Sequence, residues 1–228
     1  DVDGVRYIAA VERAGDVHVH GRPLAQAEPV ATYPGRELVG QKYIRPLDVV
    51  PFPVDGHRAV GKHEVVIPGA FVSADEGTGL VHMAPAFGAD DYAAGQQHGL
   101  AFVNPVAPDG TFRGLKWTEL EGKLVTDKET NRIIIEQLKH NGRWVETRPY
   151  SHSYPHCWRC DSPLIYYARS SWFVRTTAVK ARMLEINAEV DWHPPETGAG
   201  RFGEWLENNV DWALSRERYW GTPLPIRR

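Results

Sequence analysis

The sequence predicts an α+β fold in two parts, and three observations indicate it. Short apolar runs alternate with proline and glycine through the first half, which is typical of a small barrel or mixed sheet with many turns and packed helices. Residues 127–140 have the pattern of an amphipathic helix. Beyond residue 150 the chain carries a Cys-x-x-Cys and most of its tryptophans, so a second, different part begins there.

Composition limits the class of protein. The 228 residues could form one large or two modest domains, and 42% hydrophobic and 24% charged residues are ordinary for a globular protein. A net charge of −3 gives no general case for nucleic-acid binding. We find neither a signal peptide nor an apolar run long enough to span a bilayer, and we therefore expect a cytoplasmic protein without a membrane partner.

The first elements are predicted as a β-hairpin. Residues 5–12 and 17–20 have strand composition, and the turn between them is placed at residues 14–16. His18 and His20 then share one strand face, where they could bind a metal, although an exposed polar face is the commoner outcome.

The following elements are predicted from local signals. Residues 80–83 resemble a short buried strand ended by Pro85, and residues 89–97 a helix closed by Gly99 at its C′ position. Further turns are predicted at residues 55–56 and 109–110. Asp127 can cap the helix that ends at Asn141-Gly142, with Ile134 and Leu138 on its apolar stripe.

A polar pocket wall is predicted around residues 77–91. Gly77 and Gly79 flank Thr78 in a turn that suits a close backbone approach. His82 lies near the end of the predicted strand, and Asp91 in the first turn of the next helix. A helix N-terminus favours an ionised carboxylate, so Asp91 could receive a cation. The alternative is a helix cap with no function in catalysis.

The same stretch carries a resemblance. Gly-Thr-Gly-Leu-Val-His-Met-Ala-Pro-Ala-Phe-Gly-Ala-Asp-Asp-Tyr, residues 77–92, is similar to the signature of the editing domain inserted into isoleucyl-tRNA synthetases. The valyl and leucyl enzymes keep the glycines, the proline and the last aspartate, but not the His followed by Met-Ala-Pro-Ala-Phe-Gly.

The resemblance implies a substrate and roles for the residues. A pocket that fits isoleucine rejects valine by only about 1–3 kcal/mol, and these synthetases are the standard example of this limit. The resemblance therefore implies a second site, where valine misattached to the 3′ end of tRNA(Ile) is hydrolysed. Asp91 would anchor the ammonium group, and His82 would bind the terminal ribose or orient water. Gly77, Thr78 and Gly79 would let backbone approach the substrate.

The Cys-x-x-Cys of the second part suggests a metal. The spacing lets the Cys157 and Cys160 thiolates hold one tetrahedral zinc. His152 and His156 are nearby candidate ligands, although His156 adjoins Cys157 and can rarely point at the same ion. A redox pair and a buried thiol pair are the alternatives.

The segment around these cysteines closely resembles the one that follows the editing domain in isoleucyl-tRNA synthetases. There a structural zinc is completed by a second cysteine pair. The present chain has no further cysteine, so we expect an incomplete zinc site.

The last elements are predicted as a strand over residues 164–174 and a helix over 176–187 with Val179, Met183 and Ile186 inward. A short helix, a strand and an Arg-rich turn follow in residues 203–223. This segment resembles the second half of the class I nucleotide-binding fold. The resemblance makes Trp212 a candidate for the isoleucine side-chain pocket, and a core aromatic residue is the alternative.

Together these features predict an internal fragment. Residues 1–148 would be an editing domain that lacks its threonine-rich N-terminal segment, and residues 149–228 a zinc-ribbon-like connection with a partial class I α/β domain. The His-Ile-Gly-His-like and Lys-Met-Ser-Lys-Ser-like motifs do not occur here. We therefore expect ATP and magnesium to bind only to the parent enzyme. The remaining domains of that enzyme would be partners of this chain, and the fragment alone would not edit. The other hypotheses are a freestanding trans-editing deacylase and a non-catalytic zinc-ribbon module.

Overall fold

The computed structural model describes residues 1–55, 58–75, 77–149 and 151–215. It is a mixed α+β structure with small sheets and a few helices, which confirms the predicted class. The chain divides into two compact units, the first Asp1–Ala168 and the second beginning at Arg169. The assignment of residues 1–148 and 149–228 to two functional domains stays a prediction.

The sheets are smaller than predicted. Each has two antiparallel strands of two residues. The strands are β1 (His18–Val19) with β2 (Arg22–Pro23), β3 (Val54–Asp55) with β4 (Arg58–Ala59), and β5 (Phe173–Val174) with β6 (Trp212–Ala213). In the described ranges these three strand pairs do not join into a barrel or a larger sheet. Frequent proline and glycine interrupt the hydrogen-bonded ladder, which leaves mainly isolated bridges such as Lys42 to Val65.

The first hairpin turns at a different place from the predicted one. Residues 5–12 form no strand, and Val11–Arg13 is a 3₁₀ turn. The chain reverses instead at His20 and Gly21, whose φ angles of 50° and 78° give two consecutive left-handed residues, as a tight hairpin between β1 and β2 requires.

The helices are α1 (Ala89–His98), α2 (Lys128–His140), α3 (Lys180–Glu189) and α4 (Gly203–Glu207). The 3₁₀ turns are Val11–Arg13, Leu24–Gln26, Gly35–Leu38 and Thr176–Val179. The segment Gly198–Phe202 before α4 is kinked at Gly200, whose ψ angle of −114° is not helical. Among the described residues no helix combines the length and the apolar character needed to cross a membrane.

Helix α2 follows its prediction closely. Asp127 caps it by accepting a hydrogen bond from the Glu129 amide at 3.0 Å, and Asn141-Gly142 ends it. Its inward face differs, because Thr130 and Ile133 are the buried residues, whereas Ile134 is only half-buried. The Thr130 hydroxyl donates to the Leu124 carbonyl at 2.9 Å, which satisfies its buried polar atom.

In the second unit, the predicted strand over residues 164–174 is wrong except for β5. The predicted helix begins as the 3₁₀ turn Thr176–Val179 and continues as α3. A 3₁₀ turn has three residues per turn, so it rotates the later side chains relative to an α-helix. Val179 in this turn is exposed and Met183 in α3 is half-buried, so the two do not share the predicted inward face, and Ile186 is exposed as well.

The predicted short helix and strand of this region are confirmed as α4 and β6. The Arg-rich turn predicted after them, and Gly56 of the turn at residues 55–56, lie outside the described residues. Asn187 of α3 donates to the Gly198 carbonyl at 2.9 Å and thereby links α3 to the segment before α4.

Candidate functional site

The glycine turn before the candidate site packs on the N-terminal segment. Gly77 and Gly79 have φ angles of 70° and 77°, and the Ala10 amide donates to the Thr78 carbonyl at 2.8 Å. A Cβ placed on Gly79 would lie 2.7 Å from the Ala10 Cβ. The predicted close backbone approach is therefore present, and the group that approaches Gly79 is Ala10.

Thr78 and Gly77 make further contacts that fix this turn. The Thr78 hydroxyl donates to the Leu80 carbonyl at 3.1 Å, and the Leu80 amide lies 3.3 Å from the same hydroxyl oxygen. The Arg13 guanidinium donates to the Gly77 carbonyl at 3.4 Å. Among the described residues, chain neighbours aside, a Cβ on Gly77 would meet no atom within 4 Å, so this glycine is the open side of the turn.

The predicted buried strand at residues 80–83 is wrong. Leu80 and Val81 are exposed, and no strand pairs with this segment in the described part of the chain. An apolar run forms a strand only where a neighbouring strand accepts its hydrogen bonds. His82 lies on this segment, with its side chain exposed.

Asp91 lies in the first turn of α1, as predicted. Helix α1 begins at Ala89, and Asp91 is half-buried. Its Oδ2 accepts a hydrogen bond from the Ala84 amide at 3.0 Å. A Cβ on Gly88 would lie 3.1 Å from the same Oδ2, so the glycine leaves room for the carboxylate to fold back. The carboxylate therefore closes the segment from Ala84 to the first turn of α1, and His82 lies two residues before this segment.

The opposite end of α1 is fixed as well. Gly99 adopts the left-handed conformation (φ 65°, ψ 42°), which confirms the predicted helix end. A Cβ on Gly95 would lie 3.1 Å from the Pro85 ring, so the helix packs on the loop that carries the candidate residues. Tyr92 meets Phe102 edge to face, with 6.2 Å between ring centroids. These contacts hold Asp91 in place relative to the loop.

The two cysteines lie on one tight turn. The Cys157 amide donates to the Ser162 carbonyl at 2.9 Å, and the Asp161 amide donates to the Cys157 carbonyl at 2.8 Å. Cys157 is half-buried, Cys160 is exposed, and neither forms a disulfide. The Cys160 sulfur lies 2.9 Å from the Ser162 hydroxyl oxygen.

The donor set of this turn fits half of a zinc site. Two thiolates supply two of the four ligands of tetrahedral zinc. No group of three or more His, Cys, Asp or Glu side chains that could hold a metal occurs in the described residues. The Nδ1 atoms of His152 and His156 lie 3.0 and 2.9 Å from the backbone carbonyl oxygens of Ser153 and Tyr154. Zinc binding stays a prediction.

Trp212 lies on β6 opposite Val174, with 60% of its surface exposed. The interpretation of Trp212 as a core aromatic residue is therefore wrong. Its assignment to an isoleucine pocket stays a prediction.

Two features were not predicted from the sequence. An open cavity of about 520 Å³ in the second unit is lined by Thr197, Arg201, Phe202, Glu204, Trp205 and Asn208. The only sequence signal for this cavity is the spacing of Phe202 and Trp205, which are three residues apart and would lie on one face of a helix.

The other feature is an ionic cluster in the first unit. Lys116 donates to Asp48 at 2.8 Å. This bond, with the positive charge of Arg45, holds the pKa of the Asp48 carboxyl below its usual value. The guanidinium of Arg45 also lies 4.4 Å from the centre of the Phe52 ring. No local pattern indicates this cluster, because Asp48 and Lys116 are far apart in the chain.

Comparison with known proteins adds family information. Residues 13–228 match the family described as tRNA synthetases class I (I, L, M and V). An isoleucine–tRNA ligase of Thermobifida fusca is 48% identical over 197 residues, which cover 85% of this chain and 17% of that protein. One from Streptomyces coelicolor is 44% identical over 204 residues, 86% of this chain and 18% of that protein. One from Bacillus thuringiensis is 44% identical over 228 residues, 98% of this chain and 20% of that protein. The chain spans about a fifth of the length of these relatives.

Proposed function

Because the chain belongs to the class I tRNA synthetases, we propose that it forms part of an isoleucine–tRNA ligase and that residues 1–148 act as its editing domain. The substrate of this activity is tRNA(Ile) whose 3′ end carries valine. The relatives named above are isoleucine–tRNA ligases, which favours this hypothesis over a freestanding deacylase or a zinc-ribbon binding module.

The position of Asp91 is the observation that supports the proposal most. Its carboxylate is half-buried at the N-terminus of α1, where the helix dipole favours negative charge. The Ala84 amide engages one oxygen, and none of the described residues donates a hydrogen bond to the other. A carboxylate held in this way can accept the ammonium group of an esterified amino acid through a charge-assisted hydrogen bond.

His82 and the glycine turn take supporting roles. The exposed His82 imidazole lies on the segment that precedes α1 and would hydrogen-bond the terminal ribose or orient the attacking water. Gly77, Thr78 and Gly79 would present backbone to the substrate, and Gly77 offers the open side of the turn. Water then adds to the ester carbonyl, the bond to the ribose oxygen breaks, and valine and tRNA with a free hydroxyl are released.

The second part of the chain would support the aminoacylation domain. Cys157 and Cys160 would supply two ligands of a structural zinc, which holds the turn when bound. Trp212, exposed on β6, would line the isoleucine side-chain pocket. ATP and magnesium would be bound by other segments of the parent enzyme.

Hydrolysis of Val-tRNA(Ile) tests the proposal. It is measured with this chain and with a chimaera in which the chain replaces its counterpart in the Thermobifida fusca ligase. The chimaera is expected to release valine from tRNA(Ile) much faster than isoleucine, because the larger side chain is excluded. Two outcomes would contradict the proposal: equal rates of hydrolysis for the two esters, or a release of valine no faster than the spontaneous hydrolysis of Val-tRNA(Ile) without protein.

A further inference from the structure

The last residues of the first unit contact the segment that precedes α1. Ala168 ends this unit, and its amide donates to the Ala86 carbonyl at 2.8 Å. Ala86 has 1% of its surface exposed. A carbonyl so far from solvent needs a donor within the protein, and Ala168 supplies it. A residue distant in the sequence therefore satisfies the backbone between His82 and Asp91.

A run of hydrogen bonds connects this contact to the candidate anchor. Next to Ala86, the Phe87 amide donates to the Ala84 carbonyl at 2.8 Å. The Ala84 amide in turn donates to Asp91 Oδ2 at 3.0 Å. The end of the first unit is thus linked to the Asp91 carboxylate through one short stretch of backbone. A displacement of Ala86 would also displace Ala84, whose amide holds the carboxylate.

Residues 164–168, which we call the strap, are fixed at their start and in their middle. The Leu164 amide donates to the Pro155 carbonyl at 3.0 Å. A Cβ on Gly110 would lie 3.3 Å from Ile165 Cδ1, so the Ile165 side chain reaches this glycine. These contacts hold the strap on the first unit and give its last amide a defined position.

We propose that the strap, through the bond from Ala168 to Ala86, positions the Asp91 carboxylate. A carboxylate accepts a charge-assisted hydrogen bond from an ammonium group only over a narrow range of positions. The effect on the substrate rests on the proposed editing function, and the effect on the protein itself does not. The inference also places the end of the editing unit at Ala168.

The first measurement is amide hydrogen exchange in the 228-residue chain. Ala168→Pro removes the donor, since proline has no N–H. Protection of the Ala84 and Phe87 amides is expected to fall about ten-fold, because the buried Ala86 carbonyl loses its partner. Protection of the Ala84 amide reports directly whether the Asp91 carboxylate is in place.

Two controls separate the missing amide from other effects of the substitution. Ala168→Ser keeps the backbone donor at the same position. Ser170→Pro introduces proline at an exposed residue just beyond the first unit, whose amide donates to none of the described backbone carbonyls. Both variants should keep the protection seen in the wild-type chain.

The second measurement compares two esters in the chimaera described above. One is Val-tRNA(Ile), and the other carries the α-hydroxy analogue of valine, in which a neutral hydroxyl replaces the ammonium group. The ratio of their kcat/KM values measures the preference for the charged ester. Ala168→Pro should lower this ratio about ten-fold, because the bond to the charged group is impaired. A loss of stability alone would slow both esters equally and leave the ratio unchanged.

The outcomes decide between the strap and the proposed function. Unchanged protection in Ala168→Pro, or an equal loss in Ser170→Pro, would overturn the proposal. Loss of protection with an unchanged ratio would overturn it too, because the strap would then hold the backbone without positioning Asp91. If the wild-type chimaera hydrolysed neither ester, the proposed function would fail, and the exchange rates would still decide whether the strap holds Asp91.

A second variant covers the case in which Ala168→Pro does not fold, which circular dichroism checks. Ile165→Ala keeps every backbone donor of the strap and removes only its contact near Gly110. The Ala84 and Phe87 amides should lose protection in the same direction, but less than in Ala168→Pro. Wild-type protection of both amides in a folded Ile165→Ala chain would overturn the proposal.

Discussion

The Asp91 carboxylate accepts a hydrogen bond from the backbone amide of Ala84, with 3.0 Å between Oδ2 and N. The bond closes the segment from Ala84 to the first turn of helix α1, so the side chain proposed to hold the substrate also fixes the segment that leads into its own helix. The two tasks can be separated by substitution. Asparagine keeps an oxygen that accepts from Ala84 but has no charge, whereas alanine removes both.

Asp91→Asn should therefore keep the fold and lose editing. In the chimaera, Val-tRNA(Ile) hydrolysis should fall about ten- to a hundred-fold, because a hydrogen bond to a charged group contributes about 1.5–3 kcal/mol. Asp90→Asn, on the same helix turn but exposed, should hydrolyse at the wild-type rate. Equal rates in the two variants would remove Asp91 from the site.

Gly79→Ala should destabilise the chain more than Gly77→Ala. Both residues have positive φ, so alanine at either costs about 1–2 kcal/mol in backbone strain. Only at Gly79 would the new Cβ also meet Ala10, at 2.7 Å, which adds about 1–3 kcal/mol of overpacking. Urea unfolding measures the difference.

An Ala10→Gly change supplies the control for this prediction. Combined with Gly79→Ala it should remove the overpacking and leave only the backbone strain. The loss of unfolding free energy caused by Gly79→Ala in the Ala10→Gly background should then equal the loss caused by Gly77→Ala alone. No recovery would mean that the turn is not packed on Ala10.

Zinc should bind this chain weakly. Cys157 and Cys160 leave half of the coordination shell to water. Metal analysis after dialysis against a mild chelator should find well under one zinc per chain, and Cys157→Ser with Cys160→Ser should abolish the remainder. One tightly held zinc per chain would show that further ligands complete the site.

Asp211 should give the second unit an acid-sensitive contact. The Thr177 hydroxyl and amide donate to its Oδ1 at 2.7 and 3.0 Å and lower the pKa of this carboxyl. Since the folded pKa lies below the unfolded value of about 3.9, the stabilisation is fully present above that value and is lost as pH falls through the folded pKa. Protection of the Thr177 amide from hydrogen exchange should decrease accordingly.

Asp211→Asn should remove this pH dependence, since its side chain does not titrate. Glu196→Gln, which changes an exposed carboxylate in the same unit, should keep the acid loss of protection. The same acid profile in all three proteins would contradict the role of Asp211.

Elements with signals in their own residues could be predicted from the sequence. Asp127 and Gly99 mark the start of α2 and the end of α1, because capping depends on one residue and its immediate neighbours. The place of Asp91 at a helix start follows from the same local rules.

Features that depend on distant partners could not be predicted. The run Leu80–Met83 has strand composition, but no described strand pairs with it. The contact of Gly79 with Ala10 joins residues that are far apart in the sequence. The hairpin turn at His20 and Gly21 was missed because histidine adopts positive φ only occasionally, and Gly21 alone did not outweigh the turn signal at residues 14–16.

The contact between Gly79 and Ala10 also affects how homologous sequences should vary. A residue other than glycine at position 79 is compatible with this geometry only if position 10 is glycine, so substitutions at the two positions are expected to be correlated across the family. Positive φ independently favours glycine at position 79. Evolutionary conservation of that glycine would therefore follow from backbone conformation and packing alone, and would carry no information about whether the turn touches a substrate.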